Sequence, residues 1–173
     1  HLSGGTSEFV LCERMEGSGF MTTILGSSND IAAGQLVDRI GVLMGLKFPA
    51  GPSMETLARK SKYTYESVLP VSVKDNEISF GGPYSAGVRW WEAQQLSPID
   101  WSHRECFNTV KEAQQLASSV FQCIGTSLEK ALEHILKTHP VSTLITAGGV
   151  MANAYLQDRL IHWGHHHDLD VLC

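Results

Sequence analysis

The stretch LITAGGVMANAYLQDRL, residues 144–160, changes its period halfway along. An apolar run ends in Gly148-Gly149, and apolar residues then recur at helical spacing. Read outward, it predicts a buried strand Thr143 to Ala147, a tight glycine turn, an amphipathic helix Val150 to His162 and a last strand Leu169 to Leu172. Two strands joined through a helix run parallel, which sets the chain in the α/β class. A glycine turn at a strand-to-helix step also lets backbone N–H groups and the positive end of the helix face an anion with no Cβ in the way. Phosphate is the usual guest.

The other end of the chain raises the same question. HLSGGTSEFVL, residues 1–11, sets Ser3-Gly4-Gly5 among β-formers, either as a plain turn or as a loop left bare for a close approach. SEFVLCERM and GFMTTILGS then read as a hairpin around the turn Glu16 to Gly19. From Asn29 to Leu46 the period becomes helical, with Ser28, Asn29 or Asp30 available as caps. A second helix fits Ser53 to Lys62 behind Pro52. LPVSV and EISF are short β-prone pieces before the break at Gly81-Gly82-Pro83, and a weakly patterned helix covers Tyr84 to Gln94. The clearest element is a helix from about Arg104 to Thr138, whose apolar residues from Phe107 to Ile135 keep a 3.6-residue beat.

The bulk numbers narrow the function classes. At 173 residues and 43% hydrophobic content the chain has enough material for one sizeable core, so residues 1–173 are expected to form one domain. A net charge of −5 leaves no footprint of a protein that grips nucleic acid by itself. Cys12, Cys106, Cys123 and Cys173 are scattered without metal-site spacing, and reduced thiols in a cytoplasmic protein are expected. No apolar run is long enough to cross a bilayer, so no membrane contact is expected. The chain begins at His1 and closes on the strand-like DVLC, which reads as a piece of something longer.

Two glycine turns with Asp38 on a helix between them suggest one site, since an acid there can accept hydrogen bonds from a ribose. The order HLSGGTSE, GSSNDIAAGQLVDRIGVLMGLKFPAGP, ISFGGPYSA, SSVFQ and LITAGGVMANAYLQDRL resembles the threonylcarbamoyl-adenosine tRNA transferase family, formerly called O-sialoglycoprotein endopeptidase or glycoprotease. The resemblance covers nearly the whole chain and is most specific at AAG-x-x-x-D followed by Gly-x-x-x-Pro-x-Gly-Pro. It implies the ribonuclease-H-like fold of actin and Hsp70 ATPases: a mixed sheet with an antiparallel hairpin edge and helices on both faces. It further implies that Ser3, Gly4 and Gly5 cradle phosphates and that Asp38 and Gly51 meet the ribose side. Gly148, Gly149 and Asn153 would hold the nucleotide from the other face. The cofactor implied is ATP or a threonylcarbamoyl-adenylate, and the chain would be the C-terminal, nucleotide-binding subdomain without its N-terminal partner.

The departures from the family pattern bear on activity. Thr6 stands for a histidine, Ile31 for an acid, Gln35 for a glutamate, Ala50 for a glycine and Tyr84 for a lysine. The metal of the family, whether iron, zinc or magnesium, is held by a His-x-x-x-His pair and an aspartate in segments outside these residues. The resemblance therefore assigns no catalytic and no metal-ligating residue here. Two readings stay open: the nucleotide-binding half of a transferase, with tRNA and companion tRNA-modification proteins as partners of the whole, or a degenerate paralogue serving as a binding module. An exposed apolar face toward the missing half makes a homodimer an expectation.

Other features have blander readings. His162 and His165 to His167 fall where a helix ends and suit its negative pole better than a metal. Trp90, Trp91 and Trp101, near Arg89 and Arg104, suit a core or a subunit contact better than a base-stacking platform. No HExxH helix or nucleophile elbow supports peptidase chemistry.

Overall fold

The computed structural model describes residues 1–173 apart from 97–98 and 104–105, and the side chains at 108 and 109 are likewise left aside. A hairpin of β1 (Glu8–Arg14) and β2 (Phe20–Ser27) is followed by helices α1 (Ala33–Leu43) and α2 (Gly51–Lys60). A two-residue ribbon of β3 (Val73–Lys74) and β4 (Glu77–Ile78) leads into α3 (Gly81–Ala93). The short α4 (Cys106–Thr109), the long α5 (Lys111–Thr138), β5 (Thr143–Ile145), α6 (Ala154–His165) and β6 (Asp170–Leu172) complete the order.

The core is helical, with α5 at its centre. Sixteen of its 28 residues are buried, and Leu116, Val120 and Ile124 are fully enclosed with Leu36 and Ile40 of α1 and Met54 and Leu57 of α2. Each such apolar side chain contributes about 1.5–3 kcal/mol on leaving water, so this three-helix contact dominates the driving force. Strands flank it: β1 pairs antiparallel with β2, β3 with β4, and β5 runs parallel to β6 in the register Thr143–Asp170, Leu144–Val171, Ile145–Leu172. Antiparallel and parallel pairs with helices on both faces form the expected α/β architecture, that of an actin-, Hsp70- and ribonuclease-H-like subdomain.

The expected mixture of antiparallel and parallel pairing is present, divided among separate pairs. Among the described residues the strands form three pairs, and a single bridge between Ser28 and Ile78 links the first two. Several helix boundaries also move, because distant residues do the capping. Helix α1 starts at Ala33 rather than Asn29, and neither Ser28, Asn29 nor Asp30 caps it: the Ala33 N–H donates to the buried Ser7 hydroxyl at 2.8 Å, and the Gly34 N–H to the Ser3 carbonyl at 3.1 Å. Asp30 instead caps α3, accepting from the N–H groups of Phe80 and Gly81, both at 2.9 Å, and from Ser79 Oγ at 2.5 Å. That cap starts α3 at Gly81, inside the expected break, where Pro83 in the first turn forfeits no helical hydrogen bond.

Helix α2 likewise begins earlier, at Gly51, with Pro52 in its first turn. The expected long helix is a four-residue turn followed by α5 from Lys111, and its expected start at Arg104 lies outside the described residues. The expected helix at Val150 is a 3₁₀ turn, Gly149–Ala152, before α6 opens at Ala154. Trp90, Trp91 and Trp101 pack half-buried against the core, and Trp101 Nε1 donates to the Met44 carbonyl at 2.7 Å. The late histidines sit on the last turn of α6 and just beyond it; Nδ1 of His162, His166 and His167 each lies within 2.8 Å of the carbonyl four residues back.

Candidate functional site

The two glycine turns meet. The Leu2 N–H donates to the Ala147 carbonyl at 2.8 Å, and the Val150 N–H to the Leu2 carbonyl at 3.2 Å, so the first loop and the β5–α6 turn lie side by side. Gly148 makes this approach possible: its φ is +99°, and a Cβ there would stand 2.2 Å from the Leu2 carbonyl oxygen. Gly34 does the same on the other side, where a Cβ would lie 2.6 Å from the Ser3 carbonyl oxygen. The first loop is thus clamped between α1 and the second turn.

Beside the clamp lies a cavity of about 310 Å³. Gly4 comes from the first loop, Gly34, Val37 and Asp38 from α1, and Pro49, Gly51, Pro52 and Glu55 from the start of α2. Phe121 of α5 closes one side, and Gly149, Val150, Ala152 and Asn153 close another. The beginnings of α1, α2 and α6 therefore converge on one space, and each helix brings the positive end of its dipole.

Of the eight residues singled out in the sequence, Gly4, Asp38, Gly51, Gly149 and Asn153 line this cavity. Gly4, Gly51 and Gly149 have nothing within 4 Å of where a Cβ would be. Their backbone N–H groups find no protein acceptor among the described residues. Ser3, Gly5 and Gly148 shape the loops instead of lining the cavity. The Ser3 hydroxyl accepts from the N–H of Gly5 at 3.2 Å and of Thr6 at 3.0 Å, so it is spent on its own turn.

Asp38 and Asn153 each use one oxygen to build the walls. Asp38 Oδ1 accepts from the Ala50 N–H at 2.7 Å, fixing the turn before α2, and no other protein group bonds the carboxylate. Asn153 Oδ1 caps α6 by accepting from the Leu156 N–H at 3.0 Å, while its Nδ2 is buried without a hydrogen-bond partner. Only 5% of Asn153 is exposed, so its side chain is held as part of the wall. The Tyr63 hydroxyl lies nearby, also buried and without a well-formed hydrogen bond. Burial pushes its pKa up to about 12 although the Asn153 amide pulls the other way.

Sequence reasoning missed the other lining residues, Glu55, Phe121 and Val150 among them. Glu55 Oε1 accepts from Arg59 at 3.0 Å and from the Ala154 N–H at 3.3 Å, which holds α2 against the start of α6. In the sequence, Glu55 and Arg59 look like an ordinary surface pair four residues apart, and only the fold brings Ala154 to them. Cys123 is inert: its thiol is pushed up to about 12 by burial, with a weaker opposing pull from Ser127, and it donates to the Pro70 carbonyl. No group of three His, Cys, Asp or Glu side chains among the described residues is arranged to hold a metal ion, so these residues do not fit the metal of the resembled family.

Helix starts and bare glycine turns gather around one cavity in an α/β architecture of the actin, Hsp70 and ribonuclease-H type. Its family follows from comparison with known proteins: the family model described as tRNA N6-adenosine threonylcarbamoyltransferase matches residues 1–173, and the chain belongs to that family. Among its relatives, the tRNA N6-adenosine threonylcarbamoyltransferase of Streptococcus suis is 33% identical over 160 residues, covering 92% of this chain and 44% of the relative. That of Streptococcus pneumoniae is 32% identical over 161 residues, with the same coverage. That of Streptococcus thermophilus is also 32% identical over 161 residues, covering 92% and 43%. The chain spans less than half the length of these relatives. Among the described residues no helix is long and apolar enough to cross a membrane.

Proposed function

We propose that this chain is the nucleotide-binding half of a tRNA threonylcarbamoyl-adenosine transferase, and that the cavity takes the adenylate part of ATP or of a threonylcarbamoyl-adenylate. The observation that carries the reading is the set of three unpaired backbone N–H groups, at Gly4, Gly51 and Gly149, from three separate segments lining one cavity. Such groups suit phosphate oxygens, which approach glycine backbone without steric cost. The unbonded oxygen of Asp38 suits a ribose hydroxyl. At about 310 Å³ the cavity is at the small end for a cofactor site, as fits one wall of a cleft whose opposite wall comes from another subdomain. In this proposal a bound threonylcarbamoyl-adenylate would supply the activated carbonyl. This chain holds and orients it, and the reacting metal and tRNA contacts lie with the rest of the protein, together with its companion proteins.

The test is calorimetry of the full-length protein with ATP or a non-hydrolysable adenylate analogue. Saturable binding is expected, and Asp38→Ala weakens it by about tenfold through the lost charge-assisted hydrogen bond. No measurable binding in the unaltered protein would favour the second reading, a non-catalytic paralogue. Thr6 and Tyr84, which stand where the family pattern has ionisable histidine and lysine, are the observation behind that alternative.

A further inference from the structure

Two tyrosine rings are stacked behind the Asn153 wall of the cavity. Tyr63, just past the end of α2, and Tyr155, in the first turn of α6, have ring centroids 3.8 Å apart and planes 10° apart. The pair is held from both ends. Arg159 Nη1 donates to the Tyr155 hydroxyl at 3.1 Å, while its Nε and Nη2 grip the two carboxylate oxygens of Glu129 on α5 at 2.5 and 2.6 Å. That bidentate geometry fixes the guanidinium, and through it the Tyr155 ring. At the other end the Ser61 hydroxyl accepts from the Tyr63 N–H at 3.1 Å, and Gln122 Nε2 of α5 donates to the Tyr65 carbonyl at 3.0 Å.

The backbone at Tyr63 is strained. Lys62 and Tyr63 both lie in the left-handed region, at φ +52° and +53°, which residues with long side chains seldom adopt. Such conformations persist where the surroundings over-determine them, and they gather at sites that must hold a geometry. Here the strained turn delivers the Tyr63 hydroxyl to Asn153. The hydroxyl and Asn153 Nδ2 are both buried, and neither bonds any other group among the described residues. The Asn153 amide is also the largest pull against the burial that raises the Tyr63 pKa. Since Asn153 Oδ1 is committed to the Leu156 N–H, a contact at Nδ2 fixes the amide at both of its ends.

We propose that Tyr63 is a positioning residue for the cavity: its hydroxyl accepts from Asn153 Nδ2 and, backed by Tyr155, Arg159 and Glu129, locks the Asn153 amide and the start of α6 in the geometry that meets the ligand. Tyr63 does not itself line the cavity, so it acts through Asn153. The inference rests on the nucleotide reading only for the identity of that ligand.

The test uses the full-length protein labelled with ¹⁵N at asparagine, and Tyr63→Phe, which keeps the stacked ring and removes one oxygen. The side-chain amide signal of Asn153, assigned by its loss in Asn153→Ala, is expected to move in Tyr63→Phe, and its protons to exchange with water about tenfold faster. Tyr155→Phe, which frees the stack from Arg159, should move the same signal by less, and gives the same reading should Tyr63→Phe not fold. Calorimetry with ATP supplies a second readout. Tyr63→Phe should weaken binding by about threefold or more, and Tyr63→Phe combined with Asn153→Ala should bind no more weakly than Asn153→Ala alone. A Tyr63 that only supports the fold would instead add its loss to that of Asn153→Ala. Additive losses, or an unmoved amide signal in the folded variants, would overturn the proposal. Were the unaltered protein to bind no ATP, the nucleotide reading would fall, and the amide signal alone would uphold or overturn the role of Tyr63.

Discussion

Residue-scale chemistry divides the acids of this chain into those that build and those left open to a ligand. Asp30 builds: burial alone would raise its pKa, but the hydrogen bonds from Ser79, Phe80, Ile31 and Gly81 together hold the carboxyl below the usual aspartate range. A depressed folded pKa means that the stabilisation is complete above the unfolded value, about 3.9, and is lost as pH falls through the folded one. Asp30→Asn should therefore lower the urea midpoint near neutrality, by the equivalent of about 0.5–1 kcal/mol because solvent screens the exposed carboxylate, and flatten the loss of stability below about pH 4. Urea titrations from pH 2 to 7 read both effects. The glycines separate in the same way. Gly148→Ala places a Cβ against Leu2 at positive φ and should cost about 2–3 kcal/mol in denaturant unfolding. Gly149→Ala meets open space, should change stability by no more than about 0.5 kcal/mol, and should weaken nucleotide binding in calorimetry by intruding on the cavity.

At the scale of elements, caps come from far along the chain. Local reading offered Ser28, Asn29 and Asp30 to α1, yet Ser7, 26 residues upstream of Ala33, holds its first N–H. Ser7→Ala should destabilise the protein by about 1 kcal/mol, read from the denaturant midpoint, because the N–H of Ala33 is then buried without an acceptor. Element types were legible because amphipathic periodicity reflects which face is buried, and α5 shows this over eight turns. Boundaries were less so. Pro83 looked like a break but sits in a first turn that Asp30 organises across 50 residues.

Across the whole molecule, stability is concentrated in the α1–α2–α5 contact, and the outer part of the hairpin lies beyond it, with Met15, Phe20, Met21 and Ile24 exposed. Ile124→Ala should cost about 2–5 kcal/mol, as a fully enclosed side chain leaves a cavity. Amides from Glu13 to Met21 should exchange far faster than those of α5, since opening the hairpin tip exposes almost no core. Hydrogen exchange followed by mass spectrometry would resolve the two regions.

The sequence alone determined the element types, the α/β class and the segments worth inspecting, since periodicity, glycine turns and acid placement are local properties of the chain. It also marked five residues that share one cavity, because bare backbone is written as glycine. Only the tertiary structure decided which glycines line that cavity and which fit under a neighbouring strand, because a Cβ-free position looks the same whether it leaves room for a ligand or for Leu2. It alone also decided that Ser3 serves its own turn, that Glu55 joins the wall, and that the strands stand in separate pairs. Those outcomes depend on hydrogen bonds between residues far apart in the chain, which no local pattern encodes.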